Sequence, residues 1–281
     1  MNTLRILLRA GVRELESSGI ESAEFEAMCM LEDCFSLTKA QYYLAQHDMA
    51  DAHAAERFQK MIARRKQGEP LQYILGKWAF FGSEFFVGGG VLIPRPETET
   101  LVELAVADIR AHGRKVCFDL CAGSGCIGLS VAKLCPDVRV FLFEKFDAAF
   151  DYLRKNAEVF ALSNVTLLQY DIFDGFDPQR MPPPDLILSN PPYICSGELA
   201  SLQKEVQKEP KTALDGGDDG LIFYRTIDSL WAARVGSPLC VMLETGEGQP
   251  AAVAELFGEH GFFSRIEKDM FSVERFVISS K

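Results

Sequence analysis

The sequence of 281 residues lacks several features that would place it in a special class of protein. It contains no apolar run long enough to span a bilayer, no low-complexity tract and no internal repeat. Its amino-terminal stretch also lacks the apolar core of a signal peptide, because Arg5, Arg9 and Arg13 interrupt it. These absences predict a globular cytoplasmic protein that does not bind membranes.

A basic surface is missing as well. The chain carries 29 Lys and Arg against 40 Asp and Glu, a net charge of −11, and most of the acidic excess falls in residues 70–281. Its one compact basic cluster, Arg64-Arg65-Lys66, is interpreted as a solvated helix face. Because phosphate backbones are gripped by clustered positive charge, we expect no direct nucleic-acid partner.

The cysteine pattern does not indicate a metal site. There are eight cysteines but only four histidines. Cys117, Cys121 and Cys126 fall on a predicted strand and in the glycine loop after it, with no histidine beside them. We therefore expect no bound metal, and reduced thiols that pack as small hydrophobic side chains.

Helical patterns fill residues 1–69 and predict an amino-terminal helical bundle. Thr3 is the expected N-cap of the first helix, and Thr38 with Gln41 forms a capping-box pattern. An apolar stripe predicts a second helix, and its members are Phe25, Met28 and Leu31. Two β-rich runs, 72–80 and 84–87, then predict a hairpin linker over residues 70–90.

Residues 91–281 alternate between strand and helix patterns, which predicts an α/β domain. The expected strands are 116–120, 138–144, 165–170, 185–189 and 238–243, and the expected helices are 126–134, 147–160, 220–233 and 249–260. Such alternation favours a parallel sheet with helices on both faces. The last two runs, 262–267 and 272–279, predict an antiparallel hairpin. A mostly parallel, Rossmann-like sheet that ends in this way is typical of class I S-adenosylmethionine-dependent methyltransferases.

A glycine-rich loop follows the first strand of this domain. Cys121-Ala122-Gly123-Ser124-Gly125 leads into the next helix, so the backbone can approach a ligand closely and present the helix N-terminus to an anion. These residues are the first candidates for cofactor binding. The spacing of Gly123, Gly125 and Gly128 also fits a dinucleotide fingerprint, so by itself it does not distinguish NAD from S-adenosylmethionine.

Two acidic residues end the following strands. Glu144 closes the second strand, where an acid binds ribose hydroxyls, although a solvated strand-end carboxylate is the alternative. Asp171 ends the third strand and is a candidate acceptor for the adenine amino group, with Ile172 packing against the ring. A turn-capping aspartate is an equal alternative for Asp171.

The fourth strand leads into Asn190-Pro191-Pro192-Tyr193, the candidate substrate and catalytic site. Proline has no backbone N–H and stiffens the residue before it, so this loop offers fixed carbonyl acceptors. Asn190 adds a side-chain carbonyl oxygen and also adjoins the predicted cofactor site. Tyr193 offers a ring on which a planar group can stack. Such acceptors suit an NH₂ group, which indicates methylation of an amide or exocyclic nitrogen.

Three alternatives remain at this point. An amino-methyltransferase acting on DNA or RNA fits the same tetrapeptide, and an NAD-dependent dehydrogenase fits the glycine spacing. The third alternative is a non-catalytic scaffold that binds a partner without reacting. The acidic charge disfavours the first. The tetrapeptide and the terminal hairpin disfavour the second, and the intact acceptor loop disfavours the third.

The chain closely resembles the PrmC (HemK) family of peptide-chain release factor glutamine methyltransferases. The tetrapeptide at 190–193 is shared with adenine and guanine amino-methyltransferases, but further runs are particular to this family. They are Gly68-Glu69-Pro70-Leu71-Gln72-Tyr73-Ile74-Leu75-Gly76, Leu92-Ile93-Pro94-Arg95-Pro96-Glu97-Thr98-Glu99, Glu209-Pro210 with Ala213-Leu214 and Gly216-Gly217, and Asp219-Gly220-Leu221.

This resemblance implies methyl transfer from S-adenosylmethionine to the glutamine of the Gly-Gly-Gln loop in bacterial release factors 1 and 2. It also implies that Gly123 and Gly125 line the cofactor, that Glu144 binds its ribose, and that Asn190 and Tyr193 hold the glutamine amide. Two positions depart from the family pattern: Glu144 stands where aspartate is commoner, and Ile172 stands where an aromatic residue often flanks the adenine.

Overall fold

A computed structural model describes residues 2–236 and 238–281 of the chain. They form two compact units, Met1–Lys77 together with Lys204–Lys208, and Trp78–Gln203 together with Glu209–Lys281. Within the described residues, no helix has both the length and the apolar character that crossing a membrane requires.

The first unit is built from helices. They are α1 (Leu4–Ser17), α2 (Ala23–Phe35), α3 (Lys39–Ala45), α4 (Ala52–Lys66) and α5 (Leu71–Leu75). Both predicted caps are confirmed: the Thr3 hydroxyl accepts the N–H of Ile6, and Thr38 with Gln41 forms a reciprocal capping box. These contacts satisfy backbone N–H groups that have no partner within the helix, which explains why α1 and α3 begin where they do.

The predicted second helix is confirmed as α2, but two details of this part of the chain differ from the expectation. Phe25 is 59% exposed, because it lies on the face of α2 opposite Ala27 and Leu31, where the helix packs. The β-rich run at 72–80 begins as helix α5, and the hairpin strands are only β1 (Lys77–Phe80) and β2 (Ser83–Phe86). Pro70 starts this short helix and Gly76, at φ +74°, ends it, so local caps prevail over β propensity.

A mostly parallel sheet forms the centre of the second unit. Its strands are β3 (Val116–Leu120), β4 (Arg139–Glu144), β5 (Val165–Gln169), β6 (Leu186–Ser189), β7 (Cys240–Glu244), β8 (Phe263–Lys268) and β9 (Glu274–Ser280). The order across the sheet is β5-β4-β3-β6-β7-β9-β8, with β9 antiparallel to both of its neighbours. The predicted parallel sheet with a terminal antiparallel hairpin is confirmed.

Helices cover both faces of this sheet. They are α6 (Glu99–His112), α7 (Cys126–Leu134), α8 (Asp147–Phe160), α9 (Ile222–Thr226) and α10 (Pro250–Glu259). Alternate residues of β3 face opposite sides, so Cys117 packs with α6, α7 and α8 whereas Phe118 packs with the segment around Trp231 and with α10. The helix expected at 220–233 is regular only in α9, and it continues as a π-helical turn at Ile227–Trp231 and a 3₁₀ turn at Ala232–Arg234.

The order in which successive strands join the sheet changes direction at β3. The strands β4 and β5 follow on one side of β3, and β6 and β7 follow on the other. Ligands bind where the connections of an open parallel sheet diverge in this way, beyond the carboxyl ends of the strands. The loops after β3 and β6 are therefore the expected walls of a binding site.

Candidate active site

The glycine loop and the Asn-Pro-Pro-Tyr loop leave the sheet side by side. Leu120 at the end of β3 pairs with Ser189 at the end of β6. The hydroxyl of Ser189 also donates to the carbonyl of Leu120 at 2.6 Å. Since Cys121 and Asn190 follow directly, the register of two neighbouring strands brings together the predicted cofactor loop and the predicted substrate loop.

A single cavity opens at this point, with about 950 Å³ of empty space that includes space open to solvent. Most of the predicted site residues line it: Cys121, Ala122, Gly123, Ser124, Glu144, Asp171, Ile172, Asn190 and Pro192. Gly125, Pro191 and Tyr193 do not line the cavity, although each is joined in the chain to a residue that does. The structure thus gathers the ends of four strands around one space.

The glycine loop uses backbone conformations that favour glycine. The φ angles of Gly123 and Gly125 are +56° and +80°, and Gly125 is the N-cap of α7 without a side-chain cap. Cys121 also has a positive φ of 61°, which is uncommon for a residue with a side chain. The first residues of α7, Cys126 and Ile127, line the cavity, so the N-terminus of this helix faces the ligand space.

The Glu144 carboxylate holds the glycine loop from the neighbouring strand. Its Oε2 accepts the N–H of Gly123 at 2.9 Å, and its Oε1 accepts the N–H of Phe146 at 2.9 Å. Burial raises the pKa of this carboxyl, and the backbone hydrogen bonds oppose the rise. Each carboxylate oxygen keeps a second lone pair, so the group can accept hydroxyl donors from a ligand as well.

Asp171 caps a turn, which is one of the two alternatives that its sequence position left open. It caps a 3₁₀ turn by accepting the N–H of Phe173 at 3.0 Å, and it also lines the cavity. Its Oδ2 lies 2.7 Å from Nζ of Lys145, another residue of the cavity wall. Ile172 beside it is buried, and its carbonyl accepts the indole N–H of Trp231 at 2.7 Å, which fixes this part of the wall.

Asn190 contacts Thr98, a residue that the sequence patterns did not relate to it. Its Nδ2 donates to Oγ1 of Thr98 at 3.2 Å, and Thr98 itself lines the cavity. Thr98 belongs to the run 92–99 that carried the family resemblance. Pro96 begins a 3₁₀ turn, Pro96–Thr98, that leads into α6, as is usual for proline in a first helical turn.

The same run is joined to the segment around residue 210. Glu209 is 4% exposed, pairs with the guanidinium of Arg95, and accepts the N–H of Ile93 at 2.9 Å. Thr212 and Ala213 follow closely in the chain and line the cavity. This ion pair, buried on its Glu209 side, joins two runs of the chain that are distant in sequence.

Close backbone packing holds Tyr193. A Cβ on Gly216 would stand 2.7 Å from Cα of Tyr193, and one on Gly246 would stand 3.0 Å from its ring. The side chain of Gln249 donates to the carbonyl of Tyr193 at 2.9 Å. Glycine is required there because neighbouring backbones approach more closely than a side chain permits. Burial raises the pKa of the Tyr193 hydroxyl.

Two buried carboxyl groups lie at the sheet beneath this site. Burial raises the pKa of Asp119 on β3 and the pKa of Glu244 at the end of β7, each to about 7. Asp119 accepts the N–H of Gly128 at 2.8 Å. Neither residue was predicted from the sequence, although Glu244 ends an apolar strand in the same way as Glu144. That position was the available signal.

These features together fit S-adenosylmethionine. The N-terminus of α7 suits a carboxylate, Glu144 suits ribose hydroxyls, and the wall at Ile172 suits an apolar ring. The fold also agrees with a solved structure of the hMettl16 catalytic domain in complex with a MAT2A 3′UTR hairpin, with a TM-score of 0.54, 17% identity, and 81% of each chain covered. The fold and the site define a class I S-adenosylmethionine-dependent methyltransferase.

Sequence relatives narrow this class. Residues 7–76 match the family described as PrmC N-terminal domain, and residues 98–222 match the Methyltransferase small domain family. The chain is 35% identical to a release factor glutamine methyltransferase of Thermodesulfovibrio yellowstonii, over 91% of this chain and 92% of that protein. It is 34% identical to one from Burkholderia pseudomallei, over 98% and 97%. The chain therefore belongs to the release factor glutamine methyltransferase family.

Proposed function

We propose that this protein transfers a methyl group from S-adenosylmethionine to the side-chain amide nitrogen, N5, of the glutamine in the Gly-Gly-Gln loop of bacterial release factors 1 and 2, in the cytoplasm. The observation that carries the proposal is the single cavity that contains both Gly123 and Asn190. The shared family, whose relatives include release factor glutamine methyltransferases, supports the choice of a release factor as substrate.

The cofactor side of the cavity is assigned to Cys121–Gly125, Glu144, Asp171 and Ile172. When bound, S-adenosylmethionine would supply an electrophilic methyl group on a positively charged sulfur, and S-adenosylhomocysteine would be the leaving group. The loop and the α7 N-terminus bind the carboxylate end, the Glu144 carboxylate accepts the ribose hydroxyls, and Asp171 with Ile172 holds the adenine. Because Glu144 also binds the N–H of Gly123, ribose recognition and loop shape depend on one side chain.

The substrate side is assigned to Asn190–Tyr193. The carbonyl oxygen of the Asn190 side chain and the backbone carbonyl of Pro191 accept the two hydrogens of the glutamine NH₂ group. Pro192 lines the cavity wall, and Tyr193, the next residue in the chain, is assigned to stacking against the amide plane. An amide nitrogen is a poor nucleophile because its lone pair is delocalised, so these residues act by orienting it. None of these steps uses a metal ion.

The first unit is assigned to recognition of the release factor. It overlaps the helical domain proposed at residues 1–69, which the hairpin linker at 70–90 joins to the methyltransferase domain at 91–281. It matches the PrmC N-terminal domain family over residues 7–76. It also carries large apolar side chains on its surface, including Phe25 at 59%, Tyr43 at 55% and Leu44 at 89% exposure. Exposed apolar groups of this kind are typical of a surface that binds another protein.

Mass spectrometry of a release factor after incubation with the protein and the cofactor tests the proposal. The expected result is a gain of one methyl group on the glutamine of the Gly-Gly-Gln loop. A parallel incubation supplies DNA and RNA in place of the release factor. Methyl transfer to nucleic acid alone would refute the proposal and restore the amino-methyltransferase alternative.

A further inference from the structure

Three polar side chains form a line from the cavity into the interior of the second unit. Asn190, at the cavity wall, donates from Nδ2 to Oγ1 of Thr98 at 3.2 Å. The Thr98 side chain in turn forms a hydrogen bond with the Glu244 carboxyl, which lowers the pKa of that group against the effect of burial. Thr98 is 2% exposed and Glu244 is 1% exposed, so water competes little for either contact.

The direction of these hydrogen bonds follows from the available protons. A threonine hydroxyl has one proton to donate, and in the ionised form of Glu244, which Arg275 and Arg95 favour, the carboxylate only accepts. The Thr98 proton therefore points to Glu244, and the Thr98 oxygen receives a donor from Asn190. Only the NH₂ side of the Asn190 amide can supply that donor, so Nδ2 faces Thr98 and the carbonyl oxygen Oδ1 turns away from it.

The Glu244 carboxyl is buried, which is energetically unfavourable for this group. Its Oε2 has no hydrogen-bond partner among the described residues, and a buried polar atom without a partner destabilises the fold. Charges from three segments act on it: Arg275 on β9 and Arg95 before α6 favour its ionised form, whereas Glu97 disfavours it. A buried carboxyl with an unpartnered oxygen contributes little to stability by itself, which is consistent with a role in the adjacent site.

We propose that Thr98 and Glu244 are positioning residues that hold the Asn190 amide with its carbonyl oxygen toward the substrate NH₂ group. This inference rests on the proposed function, because it names the support behind the residue that binds the glutamine. If the amide turned over, an N–H group would face the substrate N–H groups, and the acceptor would be lost. The line of hydrogen bonds thus selects the one orientation of Asn190 that allows binding.

Steady-state kinetics with the release factor, together with cofactor titration, test this role. Thr98→Val keeps the shape but removes the hydroxyl, and we expect turnover to fall roughly 10-fold or more while the cofactor Kd is unchanged. Thr98→Ser keeps the hydroxyl and restores most of the turnover. Glu244→Gln lowers turnover to a smaller extent, since a glutamine still accepts the Thr98 proton. Thr166→Val, an exposed residue on β5, is the matched control.

A double variant separates positioning from general damage. In an Asn190→Ala background, Thr98→Val should produce no further loss of turnover, because the residue through which Thr98 acts is absent. The inference would be overturned if the turnover losses of the two single variants multiplied in the double variant, or if Thr98→Val alone had the turnover of the wild type. Either result would leave the proposed function intact. If Thr98→Val does not fold, the same comparison is made with Glu244→Gln. Absence of release factor methylation by the wild-type protein would instead refute the proposed function and the inference together.

Discussion

Oε2 of Glu144 accepts the backbone N–H of Gly123 at 2.9 Å, which joins the end of β4 to the glycine loop that follows β3. The two residues are neighbours because their strands pair in parallel, and the loop after β3 turns toward β4. One carboxylate therefore shapes the loop and remains available to a ligand. Loss of this carboxylate should therefore affect both the loop and the bound ligand.

Replacement of Glu144 by alanine should weaken cofactor binding. The change removes the acceptor for ribose hydroxyls and also releases the N–H groups of Gly123 and Phe146. Because hydrogen bonds to a charged group contribute about 1.5–3 kcal/mol, the cofactor Kd should rise by roughly 10-fold or more, measured by calorimetry. The matched control is Asp151→Ala, which removes an exposed carboxylate of α8. An unchanged Kd in Glu144→Ala would remove this residue from the cofactor site.

Replacement of Asn190 by alanine should separate binding from turnover. The variant loses the side-chain acceptor for the substrate amide, while the residues assigned to ribose and adenine stay in place. We expect turnover on the release factor to fall on the order of 100-fold, as for the loss of one preorganised hydrogen-bonding group. The cofactor Kd should stay close to that of the wild type. Turnover equal to that of the wild type would exclude Asn190 from the reaction.

Replacement of Gly216 by alanine should disturb Tyr193. The added Cβ would stand 2.7 Å from Cα of Tyr193 and 2.9 Å from Cα of Gly220, both backbone atoms that cannot yield cheaply. We expect lower methyl transfer and a lower melting temperature. Gly197→Ala is the matched control, because a Cβ there meets nothing within 4 Å. If both variants behaved like the wild type, the close packing around Tyr193 would have no functional role.

Replacement of Asp119 by asparagine should change how stability depends on pH. Burial raises the pKa of Asp119 from 3.8 to about 7, so the folded protein keeps this proton over a range in which the unfolded chain has released it. Its contribution to stability is fully present below pH 3.8 and is lost as the pH rises through about 7. Over that range, the free energy of unfolding of the wild type should fall relative to that of Asp119→Asn.

Urea unfolding at a series of pH values measures this difference. The exposed Asp151→Asn serves as the control and should follow the wild-type pH dependence. Parallel curves for the wild type and Asp119→Asn would show that the Asp119 carboxyl titrates alike in the folded and unfolded states. That result would contradict the prediction.

Replacement of Phe25 by aspartate should affect the protein substrate only. Phe25 and Tyr43 line a surface groove of the first unit, and Phe25 is exposed, so a charge there costs little stability. We expect a higher KM for the release factor and no change with a short peptide that contains the Gly-Gly-Gln sequence. Val159→Asp places the same change on an exposed apolar residue of α8. An equal effect of the two variants would contradict recognition by the first unit.

Most of the sheet could be predicted from the sequence because its signals are local. Buried strands such as Val116–Leu120 are short apolar runs, and the glycines after them punctuate the chain. The two expectations that the structure did not bear out also came from local patterns. Phe25 matched an apolar spacing but lies on the outer face of α2, and the run from residue 72 has β propensity but is bounded by helix caps.

Sequence patterns predicted the part of the site that lies within one segment, Asn190–Tyr193. They did not predict contacts between residues from different segments. Asn190 and Thr98 are 92 positions apart, and no periodicity relates them. The same holds for Arg95 and Glu209, whose pairing depends on how two loops fold over the sheet. Such contacts depend on tertiary packing, which local pattern does not encode.

The amino-acid sequence by itself determined the alternation of strands and helices, the glycine turn, and the stiff acceptor loop, because each arises from the conformational preferences of adjacent residues. Only the tertiary structure decided that Leu120 pairs with Ser189, that Glu144 binds the glycine loop, and that Thr98 and Glu244 stand behind Asn190. The physical reason is that strand order and register bring distant residues within hydrogen-bond distance, and burial then strengthens the contacts between them.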